Sequence, residues 1–98
     1  MSAPESGATS AQRSVTIVNQ KGLHARAAAK FVRLVQNYDA TINVTAKGQT
    51  VSGHSLMGLM LLAAGPGTKL GLAAEGKQAR EVVAALVKLI EDKFDEGV

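Results

Sequence analysis

The chain has 98 residues, enough for one domain, and its 46% hydrophobic and 19% charged residues are typical of a globular protein. It contains no cysteine, which excludes a disulfide scaffold, a thiolate zinc site and a cysteine nucleophile. The formal net charge is +3, and the basic first half of the chain favours an acidic or phosphorylated partner. The 3% aromatic content and the lack of a dense Lys/Arg run argue against nucleic acid as the binding partner.

The sequence predicts neither a membrane-spanning segment nor a secretory signal. The longest apolar run, residues 56–64, is far shorter than the ~20 residues that span a bilayer. The N-terminus lacks the basic start and apolar run of a secretory signal, so we expect a cytoplasmic protein. Residues 1–13 are small, polar and without periodicity, which predicts a disordered tail followed by a single folded domain over residues 14–98.

The first elements follow in quick succession. Alternation around Val15 and Ile17 predicts a strand that ends near Val18. Apolar residues at i, i+3, i+4 and i+7 then predict a helix from about Ala25 to Gln36. β-Branched residues predict a second strand over 41–45. Lys47-Gly48 is a turn, and residues 49–52 return as a third strand, so this pair of strands is a hairpin.

Three more elements complete the chain. Residues 55–62 predict a short helix with Ser55 as its N-cap, and alternation from Leu70 to near Ala74 predicts a fourth strand. A long amphipathic helix is predicted from about Gln78 to Phe94. Acids at the C-terminus of a helix oppose its dipole, so we expect the last acidic residues to be solvated and frayed. These residues are Glu91, Asp92, Asp95 and Glu96.

The resulting order is β-α-β-β-α-β-α. One hairpin and two strand–helix–strand connections favour a mostly antiparallel sheet with its helices on one face. The predicted fold class is therefore α/β (α+β): an open two-layer sandwich of a four-stranded antiparallel sheet and three helices.

The segment Gly22-Leu23-His24-Ala25-Arg26 carries the main chemical signal. It places an imidazole where a loop becomes a helix, and a helix N-terminus binds phosphate or carboxylate through its unpaired N–H groups. Arg26 offers a planar fork of donors to phosphate oxygens, and Gly22 allows a tight turn beside the ring. His24 could therefore accept a phosphoryl group. The simpler interpretation of the spacing is that His24 only caps the helix and Arg26 is a solvated charge.

The short helix after Ser55 carries the second signal. Leu59 and Leu62 lie on a different face from Leu56, Met57 and Met60, so one set is left partly exposed unless the whole helix is core. A Met- and Leu-rich exposed face is typical of a docking patch for several partners. We expect His54 to be a solvated residue at the helix start.

The sequence gives little support for a metal site or for a hydrolase active site. A metal site from His24, His54 and Asp39 has no helical or hairpin spacing behind it, so we predict no metal. A hydrolase that uses His24 and Ser55 is a more distant alternative, since a chain this small offers no nucleophile elbow and no deep cleft.

From about Ser14 to Phe94 the sequence resembles the HPr family, the histidine-containing phosphocarrier proteins of the bacterial phosphoenolpyruvate phosphotransferase system. The resemblance rests on five segments: Lys21-Gly22-Leu23-His24-Ala25-Arg26, Ala28-Ala29-Lys30-Phe31-Val32, His54-Ser55-Leu56-Met57-Gly58-Leu59, Gly65-Pro66-Gly67-Thr68 and Ala74-Glu75-Gly76.

The resemblance implies that His24 accepts a phosphoryl group on Nδ1 from phosphorylated enzyme I and passes it to a histidine of an EIIA protein, with Arg26 as the charge partner. It also implies that Ser55 is a regulatory phosphorylation site for a dedicated HPr kinase. The docking face would comprise Ala29, Arg33, Leu56, Met57 and Met60. The protein would be a monomeric carrier without a cofactor, rather than a turnover enzyme.

Two features leave alternatives open. The family usually has proline after the arginine, where this chain has Ala27, so the active loop is expected to be less rigid while transfer is retained. The segment 56–64 and the ending Phe94-Asp95-Glu96 also resemble the nitrogen-related, regulatory branch of the system. A regulatory docking module of the same fold, in which His24 is not phosphorylated, is the alternative function.

Overall fold

The computed structural model describes residues 10–98 of the chain. Within these residues no helix is long and apolar enough to cross a membrane. The elements follow the predicted order, and a single helical turn over Lys93–Asp95 is added after the last helix. They are β1 (Ser10–Thr16), α1 (Ala25–Val35), β2 (Thr41–Ala46), β3 (Gln49–Ser52), α2 (Leu56–Leu61), β4 (Lys69–Glu75) and α3 (Ala79–Glu91).

The four strands form one antiparallel sheet in the order β1-β4-β2-β3. β4 lies in the middle, with Leu72 opposite Arg13 of β1 on one side and Val44 of β2 on the other. Lys47 and Gly48 join β2 to β3 with φ of 54° and 80°, because a two-residue turn with positive φ matches the twist of a hairpin. The predicted fold class, an open sandwich of a four-stranded antiparallel sheet and three helices, is confirmed.

The core lies between the sheet and the helices. Alternate strand residues, such as Val15, Val44 and Leu72, are buried, while their neighbours on the other face of the sheet are mostly exposed, and α3 packs on β1 and β4. Phe31 of α1 and Phe94 after α3 are the largest fully buried side chains. The hydrogen bond from Lys30 Nζ to the Phe94 carbonyl joins α1 to the end of the chain.

The predicted disordered tail, residues 1–13, extends too far into the chain. β1 begins at Ser10, and residues 10–13 pair with β4 from Ser10–Glu75 to Arg13–Leu72. Their backbone ladder supplies hydrogen bonds that do not depend on side chains, and Ala11 is the only apolar residue among them, so this edge strand lacks a clear alternating pattern. Residues 1–9 of the predicted tail lie outside the described residues.

The prediction that the last helix reaches Phe94 is wrong. α3 ends at Glu91, and Lys93, Phe94 and Asp95 have φ of 59°, 53° and 62°, which reverses the chain direction. The turn keeps Phe94 in the core, and the Lys30 ammonium donates to the Phe94 carbonyl at 2.6 Å. Because Phe94 lies four residues after the buried Ile90, its apolar spacing fits a continued helix equally well. Periodicity therefore could not locate the end of α3.

Candidate functional site

His24 is the N-cap residue of α1, with φ −76° and ψ −179°. Its carbonyl accepts the first helical hydrogen bond, from Ala28 N at 2.8 Å, but its ring makes no capping hydrogen bond. The backbone N–H groups of Ala25, Arg26 and Ala27 therefore have no acceptor inside the helix. The ring is about a quarter exposed (26%), beside the end of the helix that favours anions.

The loop before His24 is held on both sides. Gly22 has φ 64° and lies against the backbone of Ala64 and Gly65, where a Cβ would come within 2.8 Å of Gly65 Cα. Leu23 is buried, and its N–H donates to the Ala64 carbonyl at 2.8 Å. The fully buried Asn19 donates from Nδ2 to the Gly22 carbonyl at 2.9 Å. The predicted tight turn beside the ring is confirmed.

The expectation that the acidic end of the chain is solvated is wrong for Glu96. Its side chain is only 11% exposed, and its Oε2 forms a hydrogen bond with His24 Nε2. Asn19 Nδ2 donates to Oε1 at 3.0 Å. The reversal at Lys93–Asp95 brings Glu96 back over His24, whereas a continued helix would have carried it away. The other three acids of this group, Glu91, Asp92 and Asp95, are exposed as expected.

The charge state of Glu96 follows from these partners. Burial by itself raises the pKa of Glu96, but the hydrogen bonds from His24 and Asn19 and the charges of His24 and Lys21 together lower it below its ordinary value. Glu96 is therefore a carboxylate at neutral pH, able to accept hydrogen bonds but not to donate them.

A basic rim lies beside Glu96. Lys21, Arg26 and Lys30 line a depression of about 260 Å³, together with Glu96 and the C-terminal residues Asp95 and Val98. Arg26 is exposed, as sequence analysis allowed under either interpretation. Lys21 and Arg26 lie in the loop and the first helical turn that hold His24, so their charges favour an anionic group there.

The exposed face of α2 lies beside His24. Leu59 and Leu62 are buried, whereas Leu56, Met57 and Met60 are 41%, 71% and 42% exposed, so the prediction that one set is exposed is confirmed. Leu61, which was not singled out, is also 71% exposed.

Four of the five residues predicted as a docking face line two shallow depressions on α1 and α2. Leu56 shares a shallow depression with Ala29 and Arg33 of α1, and Met60 shares another with Leu23 and His24. The face thus runs along α2 to the ring of His24. We call Ala29, Arg33, Leu56, Met57 and Met60 the α2 face.

Ser55 and His54 lie before α2. The Ser55 hydroxyl accepts from Gly58 N at 3.0 Å, which confirms the predicted N-cap. His54 is exposed, as expected, but its Nε2 also accepts from Ile42 N at 3.2 Å. Within residues 10–98 no hydrogen bond joins His24 to Ser55, and no three metal-ligating side chains cluster. The geometry lacks the contact by which a histidine activates a serine.

Comparisons with known proteins agree with this arrangement. Residues 11–92 match the family model described as the PTS HPr component phosphorylation site. The chain is 50% identical over 84 residues to phosphocarrier protein HPr of Pseudomonas aeruginosa, which covers 85% of this chain and 93% of that protein. It is 39% identical over 89 residues to phosphocarrier protein NPr of Shewanella violacea, with 91% and 98% covered. The crystal structure of HPr-C-His from Thermoanaerobacter tengcongensis superposes with a TM-score of 0.85 at 39% identity, covering 90% of this chain and 99% of that one.

Proposed function

The chain belongs to the HPr family of phosphocarriers of the phosphotransferase system, and we propose that His24 is the residue that carries its phosphoryl group. The observation that carries the proposal is the placement of the ring. It is partly exposed at the N-terminus of α1, and the basic rim of Lys21, Arg26 and Lys30 lies beside its partner Glu96. A protein of this kind is a stoichiometric intermediate and not a turnover enzyme.

The transfer chemistry follows from the atoms at this site. The Nδ1 lone pair of His24 attacks phosphorus on phosphorylated enzyme I, so that a new N–P bond forms. The bond from phosphorus to the donor breaks, and its electron pair stays with the donor. The free N–H groups of Ala25–Ala27 and the Arg26 guanidinium are placed to stabilise the phosphoryl oxygens. Transfer to a histidine of an EIIA protein repeats the step with His24 as the leaving group.

The α2 face is the proposed docking surface for enzyme I and for EIIA. Both partners need access to the same exposed Leu and Met side chains next to His24, so each complex has to be weak and short-lived. A phosphate on Ser55 would place negative charge at the edge of this face, which is how a dedicated kinase would regulate docking. We place the carrier in the cytoplasm as a monomer, as the resemblance to the HPr family implies.

The branch of the system decides which donor and acceptor are used. The relatives include proteins named HPr and NPr, so the experiment uses enzyme I and EIIA of both the sugar-uptake type and the nitrogen-related type. A donor of only one type that phosphorylates the protein would assign the branch.

The experiment incubates the purified protein with phosphoenolpyruvate and each type of enzyme I and measures the intact mass before and after acid treatment. We expect one acid-labile phosphoryl adduct that His24→Ala abolishes, that the matched variant His54→Ala retains, and that an EIIA protein removes. An adduct that persists in His24→Ala would overturn the assignment. No adduct with either donor would leave the alternative, a docking module in which His24 is not phosphorylated.

A further inference from the structure

We propose that Glu96 is a positioning residue that selects the tautomer of His24, so that the proton lies on Nε2 and the lone pair on Nδ1. This inference rests on the proposed function, because it states how the ring is prepared to accept a phosphoryl group. It assigns a role to the end of the chain, 72 residues away from His24 in sequence.

The hydrogen bond itself fixes the proton. An ionised carboxylate can only accept, so a bond between Glu96 Oε2 and His24 Nε2 requires the proton on Nε2. A neutral imidazole carries one proton, which leaves Nδ1 with a free lone pair. After the phosphoryl group is attached to Nδ1, Nε2 still carries its proton and can keep the same bond to Glu96.

Asn19 holds the carboxylate in place. Its Nδ2 donates both to Glu96 Oε1 at 3.0 Å and to the Gly22 carbonyl at 2.9 Å, so the orientation of the amide is determined by two acceptors. Asn19 Oδ1 is buried and has no hydrogen-bond partner within residues 10–98. Leaving a buried acceptor without a partner costs free energy. Here that cost accompanies an orientation of the amide in which Asn19 Nδ2 donates to both Gly22 and Glu96.

The backbone around Glu96 is anchored on both sides. Lys30 Nζ donates to the Phe94 carbonyl at 2.6 Å, and Gln20 N donates to the Val98 carbonyl at 3.1 Å. Around the first of these anchors, the consecutive residues Lys93, Phe94 and Asp95 have positive φ, a conformation that each adopts at a cost of roughly 1 kcal/mol. Surrounding contacts must therefore hold the turn, and they place Glu96 at the ring.

Other charges face the pair. Lys21, Arg26, Lys30 and Asp95 line the same depression as Glu96, and Val98 lies there at the C-terminus. The hydrogen bonds from His24 and Asn19, with the charges of His24 and Lys21, outweigh the effect of burial and lower the pKa of the Glu96 carboxyl. A carboxylate is thus present at the pH at which transfer takes place.

Glu96→Gln is the discriminating variant, because it keeps the shape of the side chain. Asn19 donates toward the Oε1 position, so the glutamine oxygen should occupy that position and its NH₂ group should face His24. That NH₂ donates to Nε2, which drives the proton to Nδ1 and removes the nucleophilic lone pair. Glu96→Ala removes the hydrogen-bond partner of His24 Nε2, so residue 96 then favours neither tautomer of the ring.

The test measures the tautomer of neutral His24 by long-range ¹H–¹⁵N correlation NMR and the rate of phosphorylation by enzyme I, on the full chain. We expect the Nε2–H tautomer in the unaltered protein and the Nδ1–H tautomer in Glu96→Gln. The kcat for phosphorylation of Glu96→Gln by enzyme I should fall on the order of 100-fold, with little change in KM. Glu96→Ala should have a kcat between those of Glu96→Gln and the unaltered protein. Glu91→Gln, an exposed Glu at the end of α3, is the matched control and should behave as the unaltered protein.

Three results would overturn the inference: an Nδ1–H tautomer in the unaltered protein, a Glu96→Gln variant with unaltered tautomer, or one with inverted tautomer and unaltered rate. Failure of the proposed function is separate. If His24 is not phosphorylated at all, the tautomer measured in the unphosphorylated protein still decides whether Glu96 orients the ring.

Discussion

Gly22 lies directly against the backbone of Ala64, whose carbonyl oxygen occupies the space that a Gly22 Cβ would need. The same oxygen accepts the N–H of Leu23 at 2.8 Å. This contact joins the loop that carries His24 to the segment that follows α2. The position of the ring relative to the α2 face is therefore set by backbone atoms.

Gly22→Ala should lower the free energy of unfolding and slow phosphorylation. The side chain would meet Ala64 and also hold a positive φ, so we expect a loss of about 2 kcal/mol in urea unfolding. Gly48→Ala is the control: Gly48 has φ 80° but nothing within 4 Å of its added Cβ, so only the strain of positive φ is incurred. Equal losses in both variants would show that the contact with Ala64 does not matter.

Acid should weaken the fold partly through Glu96. The pKa of Glu96 is lower in the folded protein than in the unfolded chain, so the unfolded chain binds the proton more readily. The stability from Glu96 is present above the ordinary carboxyl pKa of about 4.3 and is lost as the pH falls through the folded-state pKa. In urea unfolding, the difference between the unaltered protein and Glu96→Gln should shrink over that range. A difference that stays constant with pH would contradict this.

Ser55→Ala should destabilise the protein by about 1 kcal/mol, because the Ser55 hydroxyl caps α2 through Gly58 N. Ser55→Asp should keep most of the stability, since aspartate is an equally good cap. Thermal unfolding measures both, with the exposed strand residue Ser14→Ala as control. If Ser55→Asp loses as much as Ser55→Ala, the hydroxyl is not acting as a cap.

Met57→Lys should weaken docking without weakening the fold. Met57 is 71% exposed on the α2 face, so burial of its side chain occurs only in a complex. We expect KM for phosphorylated enzyme I to rise about tenfold, equivalent to about 1.4 kcal/mol, while thermal unfolding is unchanged. Asn43→Lys adds the same charge on the opposite face of the sheet. An equal rise in KM for that variant would point to net charge instead of a docking face.

The fold and the His24 loop were largely predictable because their signals are local. Alternation, helical spacing and turn signals located the four strands and the three α-helices, and Ser55 and Gly22 carry conformational preferences that act within a few residues. The exposure of Leu56, Met57 and Met60 followed from helix geometry alone, because a helix of six residues on the surface cannot bury side chains on two different faces.

Glu96 could not be predicted in the same way. Its contact with His24 depends on a reversal of the chain at Lys93–Asp95, where residues without glycine adopt positive φ. Local propensity disfavours that conformation, and only tertiary contacts such as the burial of Phe94 stabilise it. The start of β1 at Ser10 was missed for a related reason, because backbone pairing with β4 leaves no trace in the side-chain pattern.

The most direct test of the account identifies the ring nitrogen that carries phosphorus. The ¹⁵N-labelled protein would be phosphorylated with enzyme I and phosphoenolpyruvate, and its histidine signals recorded by long-range ¹H–¹⁵N correlation NMR. We expect phosphorus on Nδ1 of His24 with a proton retained on Nε2, and no change at His54. Phosphorus on Nε2, or a modified protein whose His24 signals are unchanged, would contradict it.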